Sequence, residues 1–242
     1  MATTRFAILL LCLWPGWARA VDCRDLSFEN TSFTICSVDP AKETLRLFLY
    51  GQDGRPLATF KNVRNHLAKD GQRLSFAMNA GMYHANRAPV GLYIEQGKQI
   101  TPLITGASKG NFGMLPNGVL CLTDKSARVI ESRRFAQTQP NCSAASQSGP
   151  MLVIDGKLHP RFLRQSNSLY IRNGVGVAPD GKAHFAISNT PVSFHHFARL
   201  FRDKLGIRQA LYLDGNISRL YAPELDRSDP GFPMGPIIGV VE

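Results

Sequence analysis

The feature that most constrains the fold is the regular return of tight-turn pairs between short apolar runs. "YGQDGRP", "LPNGVL", "VIDGKL" and "APDGKAHF" each place an Asp-Gly or Asn-Gly pair in a polar setting. The left-handed conformations of a two-residue hairpin suit Asn, Asp and Gly, so Asp53, Asn117, Asp155 and Asp180 read as turn residues. Around them lie "SFTICSV", "TLRLFLY", "RLSFAM", "GLYIEQG", "VLCLTD", "ARVIES", "MLVIDG", "LYIRNGVGVAP", "HFAIS" and "IIGVVE". These runs are short, rich in β-branched or aromatic residues and bounded by turn formers, the pattern of strands.

Two segments have helical spacing instead. In "SFHHFARLFRDKLG", Phe194, Phe197, Phe201 and Leu205 recur on one face, with Ser193 as N-cap and Gly206 as the C-terminal stop. A weaker pattern, Leu57, Phe60, Val63 and Leu67, precedes Asp70-Gly71. The expected fold class is therefore α+β: mixed, mainly antiparallel sheet with a few packed helices. No repeat, low-complexity tract or long linker divides the chain, so residues 21–242 read as a single domain.

Residues 1–20, "MATTRFAILLLCLWPGWARA", read as a signal peptide: Arg5, an apolar run from Phe6 to Trp14, and small residues Ala18 and Ala20 at the cleavage site. A membrane anchor needs about 20 apolar residues, and Pro15, Gly16 and Arg19 interrupt this run. No membrane association is expected after cleavage. Export to a secreted or periplasmic location makes Cys23, Cys36, Cys121 and Cys142 a disulfide set. Proximity favours Cys23 with Cys36 and Cys121 with Cys142. A zinc site would want a CxxC pair, which the chain lacks, so no metal and no cofactor are expected.

The formal net charge is +10, of which Arg5 and Arg19 supply two. Arginines crowd the second half, and two readings stand: an anionic partner, or a soluble basic surface. Nucleic acid is not expected, because there is no lysine-rich arm, basic heptad region or aromatic ribonucleoprotein signature.

One Asp-Gly pair differs from the others. In "ALYLDGNIS", Asp214 ends an apolar strand with no polar return strand behind it, and two readings stand: a carboxylate at a binding crevice, or a structural cap. Nearby polar residues stand in similarly apolar settings. "RLSFAMNAGMYH" ends a strand on Asn79 before Ala80 and Gly81. "QSGPML" offers Gln147, Ser148 and Gly149, whose N–H groups can cradle an oxyanion. "YIRNGVGV" embeds Arg172, and a buried guanidinium calls for an anionic partner, either Asp214 or a substrate phosphate.

"NAGMYHANRAPVGLYIEQGK", "QSGPMLVIDGKLHPRF", "RNGVGVAPDGKAHFAIS" and "ALYLDGNIS", in this order, resemble the phosphodiester glycosidase family over roughly residues 40–242. The resemblance places Asn79, Gly81, Ser148, Gly149, Arg172, Asp214 and Gly215 on the family's shared positions. Where many members read a glycine run after the Asp-Gly, this chain has Asn216, Ile217 and Ser218. The implied activity is hydrolysis of a sugar-1-phosphodiester at the anomeric carbon, on a phosphorylated carbohydrate or an anionic envelope glycan.

In that reading Asp214 is nucleophile, base or oxocarbenium stabiliser and Arg172 clamps phosphate. Asn79, Gly81, Gly215, Ser218 and the Ser148-Gly149 backbone form the binding surface. The alternative is a non-catalytic binder of anionic envelope glycans. A serine hydrolase would want a G-x-S-x-G elbow and a metal phosphodiesterase an H-E-x-x-H run or its like, and neither motif occurs.

Overall fold

The computed structural model describes residues 21–107 and 110–242, so the leader read into residues 1–20 lies outside the described residues. Three sheets, antiparallel at every pairing, form the body. The first has seven strands, in spatial order Asp22–Phe28, Thr31–Val38, Ala183–Ser188, Asn173–Val177, Ala210–Asp214, Met151–Ile154 and Lys157–Leu158. The second runs Arg227–Ser228, Leu220–Ala222, Leu74–Asn79, Ile237–Val241, Thr44–Phe48. The third runs Lys98–Thr101, Tyr93–Glu95, Ala144–Ser148, Gly118–Thr123, Ser126–Glu131. The α+β class with mainly antiparallel sheet is the observed one.

Strand alternation decides what each face meets. Leu211 and Leu213 turn into a core shared by all three sheets, where Phe185 of the first, Met78 and Phe76 of the second and Leu120 and Leu122 of the third are buried together. The Phe76 and Phe185 rings lie 5.0 Å apart across it. Ala210 and Tyr212 turn the other way, towards Phe194, Phe197 and Phe201. Burying a side chain of this size stabilises by about 1.5–3 kcal/mol, so the two clusters anchor both faces of Ala210–Asp214.

The helices cover what the sheets leave exposed. Phe60–Ala68 sets Phe60, Val63 and Leu67 against Ala77 and Ile237, and the Thr59 hydroxyl caps it by accepting from the Asn62 N–H at 3.1 Å. Ser193 caps Phe194–Arg199 in the same way, accepting from His196 N–H. That helix widens into a π turn over Leu200–Lys204 before Gly206 ends it at φ 66°. Among the described residues no helix is long and apolar enough to cross a membrane.

The turn residues divide. Asp155 (φ 49°) and Gly156 (φ 81°) make the expected hairpin between Met151–Ile154 and Lys157–Leu158. Asp53 and Asp180 cap their own turns, accepting from the N–H groups of Arg55 and Lys182. Asn117 is a correction: it is fully buried before Gly118–Thr123, with neither side-chain polar atom partnered and the Gly149 backbone packed against its amide. The run "LYIRNGVGVAP" forms strand only over Asn173–Val177, because Tyr170 leaves to bridge Val192.

Both disulfides pair as proximity favoured. Cys23–Cys36 joins directly opposed residues of adjacent strands, and Cys121–Cys142 ties Gly118–Thr123 to the approach to Ala144–Ser148. The second closes a loop across 21 residues. Replacing Cys121 and Cys142 by Ala is expected to cost about 3 kcal/mol through freed chain entropy. Denaturant unfolding checks it, and a change below about 1 kcal/mol contradicts it.

Candidate functional site

Each sheet delivers the end of one strand to a common junction: Asp214 from the first, Asn79 from the second and Ser148 from the third. Polar side chains stitch the ends together. Asn79 Nδ2 donates to Asp214 Oδ2 at 3.4 Å and to the Ile217 carbonyl, while its Oδ1 accepts from Arg219 N–H at 2.8 Å. Ser148 Oγ donates to the Leu213 carbonyl at 3.1 Å, and Ser146 Oγ to that of Ala80 at 2.7 Å. Asn173, paired across from Asp214, donates to the Asn79 carbonyl. Ser218 Oγ donates to the carbonyls of Ile171 and Asp214.

Asp214 is 8 % exposed. Its Oδ1 accepts from the backbone N–H groups of Gly215 (2.6 Å) and Asn216 (2.9 Å), with Ile217 at 3.5 Å. Burial raises its pKa above the ordinary carboxylate range, and these backbone donors offset part of that rise. The geometry is a largely buried carboxylate held by a turn of its own backbone.

A cleft of about 780 Å³ opens over it. Its walls come from Tyr83, His84 and Arg87 on one loop, Asn111 and Phe112 on a second, and Ser168 and Tyr170 on a third, with Tyr212, Asp214 and Gly215 below. Among the described residues that line it, Asp214 is the only carboxylate and Arg87 the only guanidinium. Arg87 lies 5.4 Å from the Tyr83 ring centroid, and burial, then the Asp214 charge, raises the pKa of the Tyr83 phenol. Among the described residues, no group of three His, Cys, Asp or Glu side chains is placed to hold a metal ion.

The residues singled out from sequence therefore separate. Asp214 and Gly215 line the cleft, and Asn79 and Ser218 hold Asp214 from behind. Gly81 lets its segment pass the third sheet, since a Cβ there would stand 2.9 Å from Ser146 Oγ. Ser148 and Gly149 are fully enclosed and do not line the cleft, because Ala144–Ser148 is the central strand of its sheet and its last hydroxyl is spent on Leu213.

Arg172 is also fully enclosed, with no ion pair to Asp214. Its donors reach neutral acceptors instead: Nε to the Val192 carbonyl (2.8 Å), Nη2 to the Ser168 carbonyl (2.9 Å) and Nη1 to the Tyr212 hydroxyl (3.4 Å). The Phe194 ring lies against it at 3.7 Å. Tyr83, Arg87, Asn173 and Tyr212 are the residues sequence reasoning missed. Of these, Tyr212 alone carried a signal, since it is two residues before Asp214 on one strand face.

A family model described as phosphodiester glycosidase matches residues 72–240. The chain is 35% identical over 213 residues to YigE of Escherichia coli K12, described as uncharacterized, covering 88% of this chain and 83% of that one. Among solved structures, a hypothetical protein from Synechocystis superposes with a TM-score of 0.60 at 14% identity, covering 91% of this chain, which spans only 61% of that one.

The catalytic domain of zebrafish N-acetylglucosamine-1-phosphodiester alpha-N-acetylglucosaminidase, auto-inhibited by its pro-peptide, gives 0.58 at 12%, covering 91% and 81%. A Burkholderia pseudomallei protein described as exported gives 0.58 at 11%, covering 87% and 74%. These structures share the fold. With residues 72–240, most of its length, matched by the family model, the chain belongs to the phosphodiester glycosidase family.

Proposed function

We propose that this protein hydrolyses a sugar-1-phosphodiester at the anomeric carbon, releasing free sugar and a phosphomonoester. The observation that carries the reading is the single carboxylate among the described residues of the cleft. Glycosidases in general pair two, one of them an acid that protonates the leaving oxygen. A phosphomonoester leaves as a stable anion: the C1–O bond breaks, its electron pair stays on the phosphoryl oxygen, and water supplies the new hydroxyl and gives its other proton to the departing phosphate or to solvent. One carboxylate then suffices, and in each of its roles, nucleophile, base or oxocarbenium stabiliser, Asp214 acts ionised.

The clamp first assigned to Arg172 passes to Arg87, which lines the cleft beside Tyr83. Tyr170, Phe112 and Tyr83 supply aromatic walls of the kind that pack against sugar rings. Two disulfides and the likeness to a protein described as exported support action outside the cytoplasm, on phosphorylated envelope carbohydrate.

The test is release of reducing sugar from a panel of sugar-1-phosphodiesters. Arg87→Gln is expected to raise KM about tenfold, roughly 1.4 kcal/mol of lost phosphate binding, with kcat within about twofold of wild type. Binding of the diesters without sugar release would replace this reading by the glycan-binding one.

A further inference from the structure

Arg172 is the largest side chain enclosed in the protein and has no carboxylate beside it. A buried guanidinium is costly when its charge is not compensated, so a purely structural use of this one is unexpected. Its contacts point elsewhere. Tyr212 and Asp214 lie two residues apart on one strand, hence on one face, and both line the cleft. The Tyr212 hydroxyl stands against the backbone of residue 215 so closely that a Cβ there would come within 1.9 Å of it. Glycine follows Asp214 for that reason.

Arginine only donates. A tyrosine hydroxyl that accepts from Arg172 Nη1 keeps its own proton free to donate, and among the described residues no protein atom receives it. The Phe194 ring packs edge-on against the Tyr212 ring at 4.7 Å, and the Arg172 guanidinium and the Gly215 backbone both stand at its hydroxyl. Tyr212 is only 1 % exposed, yet it lines the cleft beside Asp214.

Resting on the glycosidase reading, we propose that Tyr212 donates a hydrogen bond to a phosphoryl oxygen of the bound substrate, and that Arg172 is the positioning residue that turns and polarises its hydroxyl. A neutral donor fits the task. Burial raises the phenol's pKa, so the proton stays in place across the physiological range. The Arg172 charge reaches the substrate only through that bond, which is why it needs no counter-ion of its own.

A double-mutant cycle tests this on a diester that the wild type cleaves. Tyr212→Phe should lower kcat/KM about 30-fold, the size of one hydrogen bond to a charged group. Arg172→Lys should lower it about tenfold in the wild type and less than about twofold in the Tyr212→Phe background, because its effect runs through the hydroxyl. Losses that multiply would overturn the proposal in favour of direct contact with phosphate.

The same variants measured by calorimetry against methyl sugar-1-phosphonates, which cannot be hydrolysed at the C1–P bond, keep the two readings apart. A wild type that binds phosphonate but cleaves no diester defeats the glycosidase reading and leaves the cycle in Kd to judge Tyr212. A wild type that does not bind phosphonate defeats the donor assignment. Should Arg172→Lys fail to fold, Tyr212→3-fluorotyrosine decides: its more acidic hydroxyl should tighten phosphonate binding several-fold, and unchanged or weaker binding overturns the assignment.

Discussion

Asp214→Asn is expected to fold normally and to lose at least about 100-fold in kcat, on the order of 2.7 kcal/mol of barrier. Asn keeps the shape and can still accept from the N–H groups of Gly215 and Asn216, so the turn survives while the charge does not. Asp155→Asn and Asp180→Asn serve as controls, because those residues sit in exposed turns and do not line the cleft, and they should retain turnover within about twofold. Near-wild-type turnover by Asp214→Asn would remove the carboxylate from the mechanism.

The pH dependence follows from the same burial. A catalyst that acts ionised, with its pKa raised above the ordinary carboxylate range, puts the acidic limb of kcat at a higher pH than an exposed aspartate would. Stability runs the opposite way. The folded pKa exceeds the unfolded one, so Asp214 favours the fold while protonated, below the unfolded value, and that benefit is lost as pH rises through the folded value. At neutral pH Asp214→Asn should therefore melt at or above wild type, with the difference vanishing below about pH 4.

The second large effect is expected from Asn79→Ala. The amide serves the Ile217 carbonyl, the Arg219 N–H and the Asp214 carboxylate at once, the last two of them buried. Truncation leaves buried backbone groups without partners, at about 1–3 kcal/mol each. A total near 3 kcal/mol corresponds to a fall of roughly 6–12 °C in the melting midpoint for a domain of this size. Activity should fall too, because the turn that holds Asp214 loses its tether to the second sheet. A thermal melt that moves by less than about 3 °C would show that the amide is a bystander.

Much of the fold was legible because hairpin chemistry is local. Asp155-Gly156 and the strands beside it need no knowledge of the rest of the chain. Asp22–Phe28 was missed because it is an edge strand whose Asp22, Arg24 and Asp25 face solvent, and edge strands carry charge where a buried strand carries apolar residues. The helix Ser132–Thr138 was hidden because its cap, Glu131, is also the last residue of the strand before it.

The site was legible only where a residue broke its surroundings, as Asp214 did by ending an apolar strand. Arg87 sits in a loop at φ 72°, and a loop has no period to reveal which way its side chains turn. Ser148 and Gly149 looked like an anion cradle because their small size is visible in sequence and their place in the middle of a sheet is not.

The meeting of three strand ends has a consequence for how the protein acquires activity. The bonds that assemble the junction span 65, 66, 94 and 135 residues of chain. Contacts of such separation demand closure of long loops before they return any energy, and chains dominated by them fold slowly. The junction should be among the last parts to order during refolding. Catalytic competence should then lag behind the gain of sheet signal, and no fragment lacking one of the three sheets should show it.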